Sequence, residues 1–128
     1  MTKPILIVFA VLTFLLTACG AGPATSSSST GTSVTANVSF SKDVMPILQS
    51  RCISCHGGGQ SNRGLSFDTY DTLMAGSNNG LVIVPGDPNN SRLIQLVQSG
   101  TMPKRGPKLT PDQIQILIDW ILAGALNN

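Results

Sequence analysis

Apolar and polar positions divide the chain into two regimes. An apolar run from Ile5 to Leu16, broken only by Thr13 and preceded by Lys3, leads into a polar, uncharged stretch ending at Asn37. From Val38 onward, apolar residues recur at helical intervals between loops rich in Gly, Asn and Pro. Val44, Ile47 and Leu48 predict a first helix from about Lys42 to Cys52. Ser41 is its expected cap, and Asp43 suits the dipole of the first turn. Pro46 is expected within that first turn, since deeper in a helix it would remove a hydrogen bond and clash. "SFDTYDTLMAG" predicts a short second helix, capped by Ser66 or Asp68 and ended by Gly76. "GDPNNSRLIQLVQSG" predicts a third, with Asp87 as cap, Pro88 at the first helical position and Gly100 as terminator. The fourth is the clearest. Thr110 and Gln113 form a capping box around Pro111, and Ile114, Leu117, Ile118, Ile121 and Leu122 make one apolar stripe that ends at Gly124. Leu81 to Val84 alone has a strand-like pattern, too isolated to build a sheet. The expected fold is all-α, with about four helices and long loops over residues 38–128.

The first regime is a leader. Twelve apolar-rich residues suit a secretory signal peptide better than a membrane span of about 20. The run ends in "LTAC", which resembles the lipobox of bacterial lipoproteins. That resemblance implies a signal peptide over 1–18, cleavage before Cys19 and lipid attached to Cys19. Several acyl chains suffice for stable anchoring. Gly20, where an Asp would favour retention, implies the outer membrane. The following "GAGPATSSSSTGTSVTAN" offers little to bury and cannot offset its conformational entropy. Residues 19–37 therefore read as a lipidated cysteine and a flexible tether, with an r.m.s. span of roughly 23 Å for its 18 residues after Cys19.

Charge narrows the choice of partner. A formal net charge of +2, with no basic cluster, argues against nucleic acid. A domain of about 90 residues is also small to hold a core alone.

"RCISCHGG", from Arg51 to Gly58, contains two of the three cysteines and the single histidine. CxxC serves zinc sites, disulfide exchange and covalent haem attachment. Zinc needs four N or S ligands, and no second CxxC or His pair exists. Thioredoxin-like exchange is associated with a βαβ pattern that this chain lacks. C-x-x-C-H is the signature of c-type haem. Cys52 and Cys55 would form the two thioethers with one haem c, and His56 would bind the iron. The sixth position then has methionine, lysine or nothing. Met45 lies on the helix leading into the motif, and Met74 near the end of a short helix reads as core filling. Met102, in a loop 46 residues after His56 and followed by Pro103, is the expected distal ligand.

With these residues in place, the stretch from Phe40 to Ala125 resembles bacterial class I-type monohaem cytochrome c domains. The shared elements are "DVMPIL", "CISCHG", Met102–Pro103, Leu109–Thr110 and Trp120–Ile121. The resemblance implies a small cytochrome c fold wrapped around one haem, its first and last helices crossing with Phe40 and Trp120 packed at that crossing or near the haem. Many such domains place a proline soon after the motif to accept the proximal histidine's hydrogen bond. Here "GGGQSNRG" intervenes, and Pro85 is the first proline available for that role.

Histidine–methionine ligation leaves no open iron position and raises the potential relative to other pairings. The six aspartates form no obvious pair, and no second histidine is available as a base. The reading is a non-enzymatic, lipid-tethered electron carrier facing the periplasm or exterior. It would exchange single electrons with a dehydrogenase, respiratory complex or oxidase. Lys104, Arg105 and Lys108 flank the Met102 loop as a docking surface for an acidic partner. The alternative is a haem enzyme or gas sensor with an open or labile sixth position.

Overall fold

A computed structural model describes residues 37–128. The expected leader, Cys19 and the tether up to residue 36 lie outside the described residues. No helix among the described residues is long and apolar enough to cross a membrane.

The fold is helical and carries no strand among the described residues. A wide π-type turn, Phe40–Val44, runs directly into α1, Met45–Arg51. After a kink at Cys52 comes α2, Ile53–His56. A single 3₁₀ turn, Asn62–Gly64, precedes α3, Tyr70–Ala75. α4 spans Arg92–Gln98 and α5 spans Pro111–Leu122. Leu81 to Val84 forms no strand: Val82 and Ile83 are buried individually, while Leu81 stays exposed.

The first helical segment starts earlier than its pattern predicts. Ser39, not Ser41, is the cap, accepting from the Lys42 N–H, while its own N–H donates to Asp43 Oδ2 at 2.8 Å. Pro46 is the second residue of α1 and so lies within that helix's first turn as expected, although the helical segment as a whole opens a turn earlier. The preceding turn is widened, with Val44 N–H bonded to Ser39 O and Met45 N–H to Phe40 O. This i→i−5 spacing relieves the carbonyl that a proline ring would otherwise strike.

Caps elsewhere follow tertiary context. Thr69 caps α3 in a reciprocal box with Thr72, in place of the expected Ser66 or Asp68. Asp87 does not cap α4. It binds Asn90 through both carboxylate oxygens and closes a turn ahead of the helix, whose N-cap is Ser91. Gly100, at φ 66°, follows the end of α4 as expected. The Thr110–Gln113 box forms as read, with Thr110 Oγ1 accepting the Gln113 N–H at 3.2 Å.

α5 buries Leu117, Trp120 and Ile121, whereas Leu122 is 56% exposed and leaves the expected stripe. The buried face is set by the opening turn. Phe40 packs on Trp120 with ring centroids 5.4 Å apart and edge-on to Tyr70 at 5.2 Å. Such aromatic pairs add about 0.5–1.5 kcal/mol beyond their buried area. The polar tips are satisfied: Trp120 Nε1 donates to Leu126 O at 2.9 Å and the Tyr70 hydroxyl to Ala125 O at 2.8 Å. Asn128 completes this end, accepting the Phe40 N–H on Oδ1 and the Ser41 N–H on its backbone oxygen.

Candidate functional site

The kink at Cys52 places CxxCH at a helix junction. Cys52 ends α1 and opens α2, and its N–H still bonds to Leu48 O at 2.8 Å. His56 closes α2. Gly57 then continues in extended backbone against Ile53 and Asp68, where a Cβ would lie 2.6 Å from Asp68 Oδ1. The glycine is needed here for space, not for backbone freedom. Asp68 accepts the Gly58 N–H, and Asn62 Nδ2 donates to Cys55 O at 2.7 Å, folding the loop back onto the motif.

This loop supplies the partner of the histidine. His56 Nδ1 donates to Leu65 O at 3.4 Å, which leaves Nε2 as the free lone pair. The acceptor is thus Leu65 and not Pro85. Phe67 fixes the same ring from the side, with centroids 5.3 Å apart, and its N–H bonds to His56 O.

Two adjoining cavities open on this motif, of about 280 and 470 Å³. The larger falls within the range of ligand pockets, about 300–1,000 Å³. His56 and Met102 line both. Cys52 and Cys55 line the larger one, and neither is in a disulfide. Leu93 lines both cavities, Leu65, Phe67, Val82 and Leu96 the smaller. Met102 is held there by its N–H, which donates to Leu96 O at 2.9 Å. Met45 and Met74 pack on the core and line neither cavity.

Burial pushes the Cys52 thiol up to about 11, with the neighbouring Cys55 adding to the shift. Cys52 is therefore a neutral thiol at ordinary pH. A thiol can add across a vinyl group, the sulfur bonding to one carbon and its proton ending on the other. On the same wall, the Arg51 Nε is buried without a hydrogen-bond partner. An orphaned donor, two free thiols, an imidazole with one nitrogen committed and a thioether on a shared cavity fit a c-type haem.

The basic residues of the Met102 loop separate. Lys104 lines both cavities and Arg105 the larger one. Lys108 instead donates to the Pro103 carbonyl and braces the loop, whose Met102–Pro103 peptide is cis. Leu65 O, Arg63 and Arg92 also face the site and are not legible in the sequence. A backbone acceptor has no side-chain signature, and neither Arg63, seven residues past His56, nor Arg92 falls in a pattern that marks a site.

Residues 52–106 match the family model for Planctomycete cytochrome C. The matched segment is less than half of the chain and contains both CxxCH and Met102–Pro103. It supports a cytochrome c-type domain, for which covalently bound haem c is the implied cofactor and electron transfer the implied activity. No curated protein and no solved structure matched the chain.

Proposed function

We propose that this protein is a monohaem c-type cytochrome that carries single electrons between extracytoplasmic redox partners while tethered to a membrane through lipid on Cys19. The observation that carries the reading is that His56 and Met102 line the same two cavities, beside the free thiols of Cys52 and Cys55. The haem, when bound, supplies a one-electron iron couple.

The chain's residues do the rest. Cys52 and Cys55 hold the macrocycle covalently. His56 and Met102 would bind its iron, and the Leu65 carbonyl orients the imidazole. Leu93, Leu96 and Val97 exclude water from the Met102 side. Lys104 and Arg105, exposed at the cavity, would meet an acidic partner such as a dehydrogenase, respiratory complex or oxidase. Lys108 contributes by fixing that loop. The leader and Gly20 support an outer-membrane location.

The test is a mass and spectrum of the purified mature protein. The expected result is one covalent haem, a six-coordinate low-spin spectrum and the weak near-infrared band of methionine–iron ligation. Met102→Ala removes that band and leaves the haem attached. A high-spin ferric spectrum in the unaltered protein, with rapid cyanide or CO binding, would replace the carrier by a haem enzyme or gas sensor.

A further inference from the structure

Charge is distributed very unevenly around the two cavities. Arg51, Arg63, Arg92, Lys104 and Arg105 line them, and none of the six aspartates does. The cavities also differ chemically. The larger carries both cysteines; the smaller carries neither, and its polar wall includes Arg92, Ser77 and Asn79, with Arg63 on the wall that the two share. In a c-type haem the vinyl-derived thioethers and the two propionates occupy opposite edges of the macrocycle. A haem fixed by Cys52 and Cys55 in the larger cavity therefore directs its propionates into the smaller one.

We infer that Arg63 and Arg92 are the propionate receptors of this protein, an assignment that rests on the haem reading above. Two carboxylates entering a partly enclosed space need charged, hydrogen-bonding partners, and a guanidinium meets a carboxylate with paired donors. The backbone around Arg63 is built to hold it there. Arg63 adopts φ 58°, a left-handed conformation uncommon outside glycine. A side chain in that conformation persists only where its surroundings over-determine it. Here Asn78 N–H donates to Arg63 O at 2.8 Å, and the Asn78 side chain fills the space where a Cβ on Gly64 would fall. Asn62, one residue earlier, is tied to the Cys55 carbonyl. The loop thus couples the position of Arg63 to the haem-binding motif itself. Arg92 sits in the first turn of α4, where the helix dipole disfavours a cation, so helix stability does not explain it. Arg51 and Arg105 stand at the cysteine end and are not receptors in this arrangement.

Arginines at the propionates keep both carboxylates ionised. The midpoint potential of the unaltered holoprotein should then be flat with pH through the weakly acidic to neutral range. The experiment compares holoprotein variants by redox titration across that range and by the propionate bending band in resonance Raman spectra. Arg63→Asn deletes the charge with a residue that tolerates the left-handed backbone, and Arg92→Gln deletes the second charge. The double variant should raise propionate proton affinity about tenfold or more, a shift of one unit or above. It is read as a pH-dependent segment of the potential and a displaced Raman band. Arg63→Lys should restore the flat profile, and Lys42→Gln, at an exposed lysine that lines neither cavity, should not disturb it. Arg92→Gln alone leaves Arg63 untouched and serves if the double variant does not mature; it should show the same change in smaller size. A flat profile with an unmoved band in the variants overturns the assignment. So does an Arg51→Gln protein that reproduces both changes, because the propionates would then lie at the cysteine end. An unaltered protein that carries no covalent haem overturns the haem reading, and this assignment with it.

Discussion

His56 and Leu65 are joined through a ring nitrogen and a main-chain oxygen, 3.4 Å apart. The contact depends on the short turn before Leu65, because the Leu65 N–H bonds to Asn62 O and Gly64 N–H to Ser61 O. A substitution in that turn should reach the histidine without touching it.

Gly64→Ala is the most direct such change. Gly64 has φ 75°, and a Cβ there would overlap the Asn78 side chain. The variant should lose about 1–3 kcal/mol of stability in denaturant unfolding. Moving the Leu65 carbonyl away also makes the imidazole a poorer donor to iron, so the midpoint potential should rise. Gly59→Ala is the control: φ is 83°, but no atom lies within 4 Å of its Cβ. It should cost backbone strain alone. Equal potentials for the two variants would show that the carbonyl does not tune the histidine.

Trp120 should be the most sensitive position of the core. It is fully buried between Phe40 and the chain end. Trp120→Ala is expected to cost about 3–5 kcal/mol. Trp120→Phe keeps a ring but leaves Leu126 O without its donor, for about 1–3 kcal/mol. Calorimetric melting separates the two, since each kcal/mol moves the midpoint by about 4–8 °C in a domain of this size.

Acid stability should carry a contribution from Asp87. The Asn90 side chain, and then its N–H, hold the Asp87 carboxyl below its ordinary value near 3.8. The fold therefore favours the ionised form. The resulting stabilisation is complete above the ordinary carboxylate range and is lost as pH falls through the lowered folded value. Asp87→Asn should flatten the lowest part of the acid-unfolding curve by lowering stability at neutral pH, with little change below the folded value. An NMR titration of the Asp87 carboxyl that finds no downward shift would contradict this.

Asn128 should matter out of proportion to its exposure. Its side-chain oxygen is the acceptor of the Phe40 N–H at 2.8 Å, in the first turn of the opening helix. Asn128→Ala should cost about 0.5–1.5 kcal/mol. Ser41→Ala removes exposed hydroxyl bonds to Asn128 O and to the Ser39 hydroxyl and should cost less. Amide exchange at Phe40 gives a local reading of the same loss.

What could be read from the sequence was what neighbouring residues determine among themselves. Thr110 and Gln113 cap α5 because both bonds close within four residues. The CxxCH motif concentrates two thiols and an imidazole on one short segment, and Met102 was reachable because few methionines compete. The α3 cap is not decided locally: Ser66, Asp68 and Thr69 are all able caps, and Asp68 is diverted to Gly58 by a contact ten residues away. Leu122 fits the helical period yet is exposed, because the buried face of α5 is chosen by Phe40, more than 70 residues earlier. Arg63 carries no local sign of a left-handed backbone; Asn78 supplies the reason from another loop. Leu65 acts through a group every residue has.

The hydrogen bonds of Asn128 have a consequence for the domain as a module. Val38 to Ser41 and Asn128 are bonded neighbours, so the two ends of the described fold meet at one spot. Termini that meet allow a domain to be spliced into a longer chain, or strung in series, without pulling its helices apart. The fold is in that respect portable: a host sequence could carry it as an insert, joined through a single doorway.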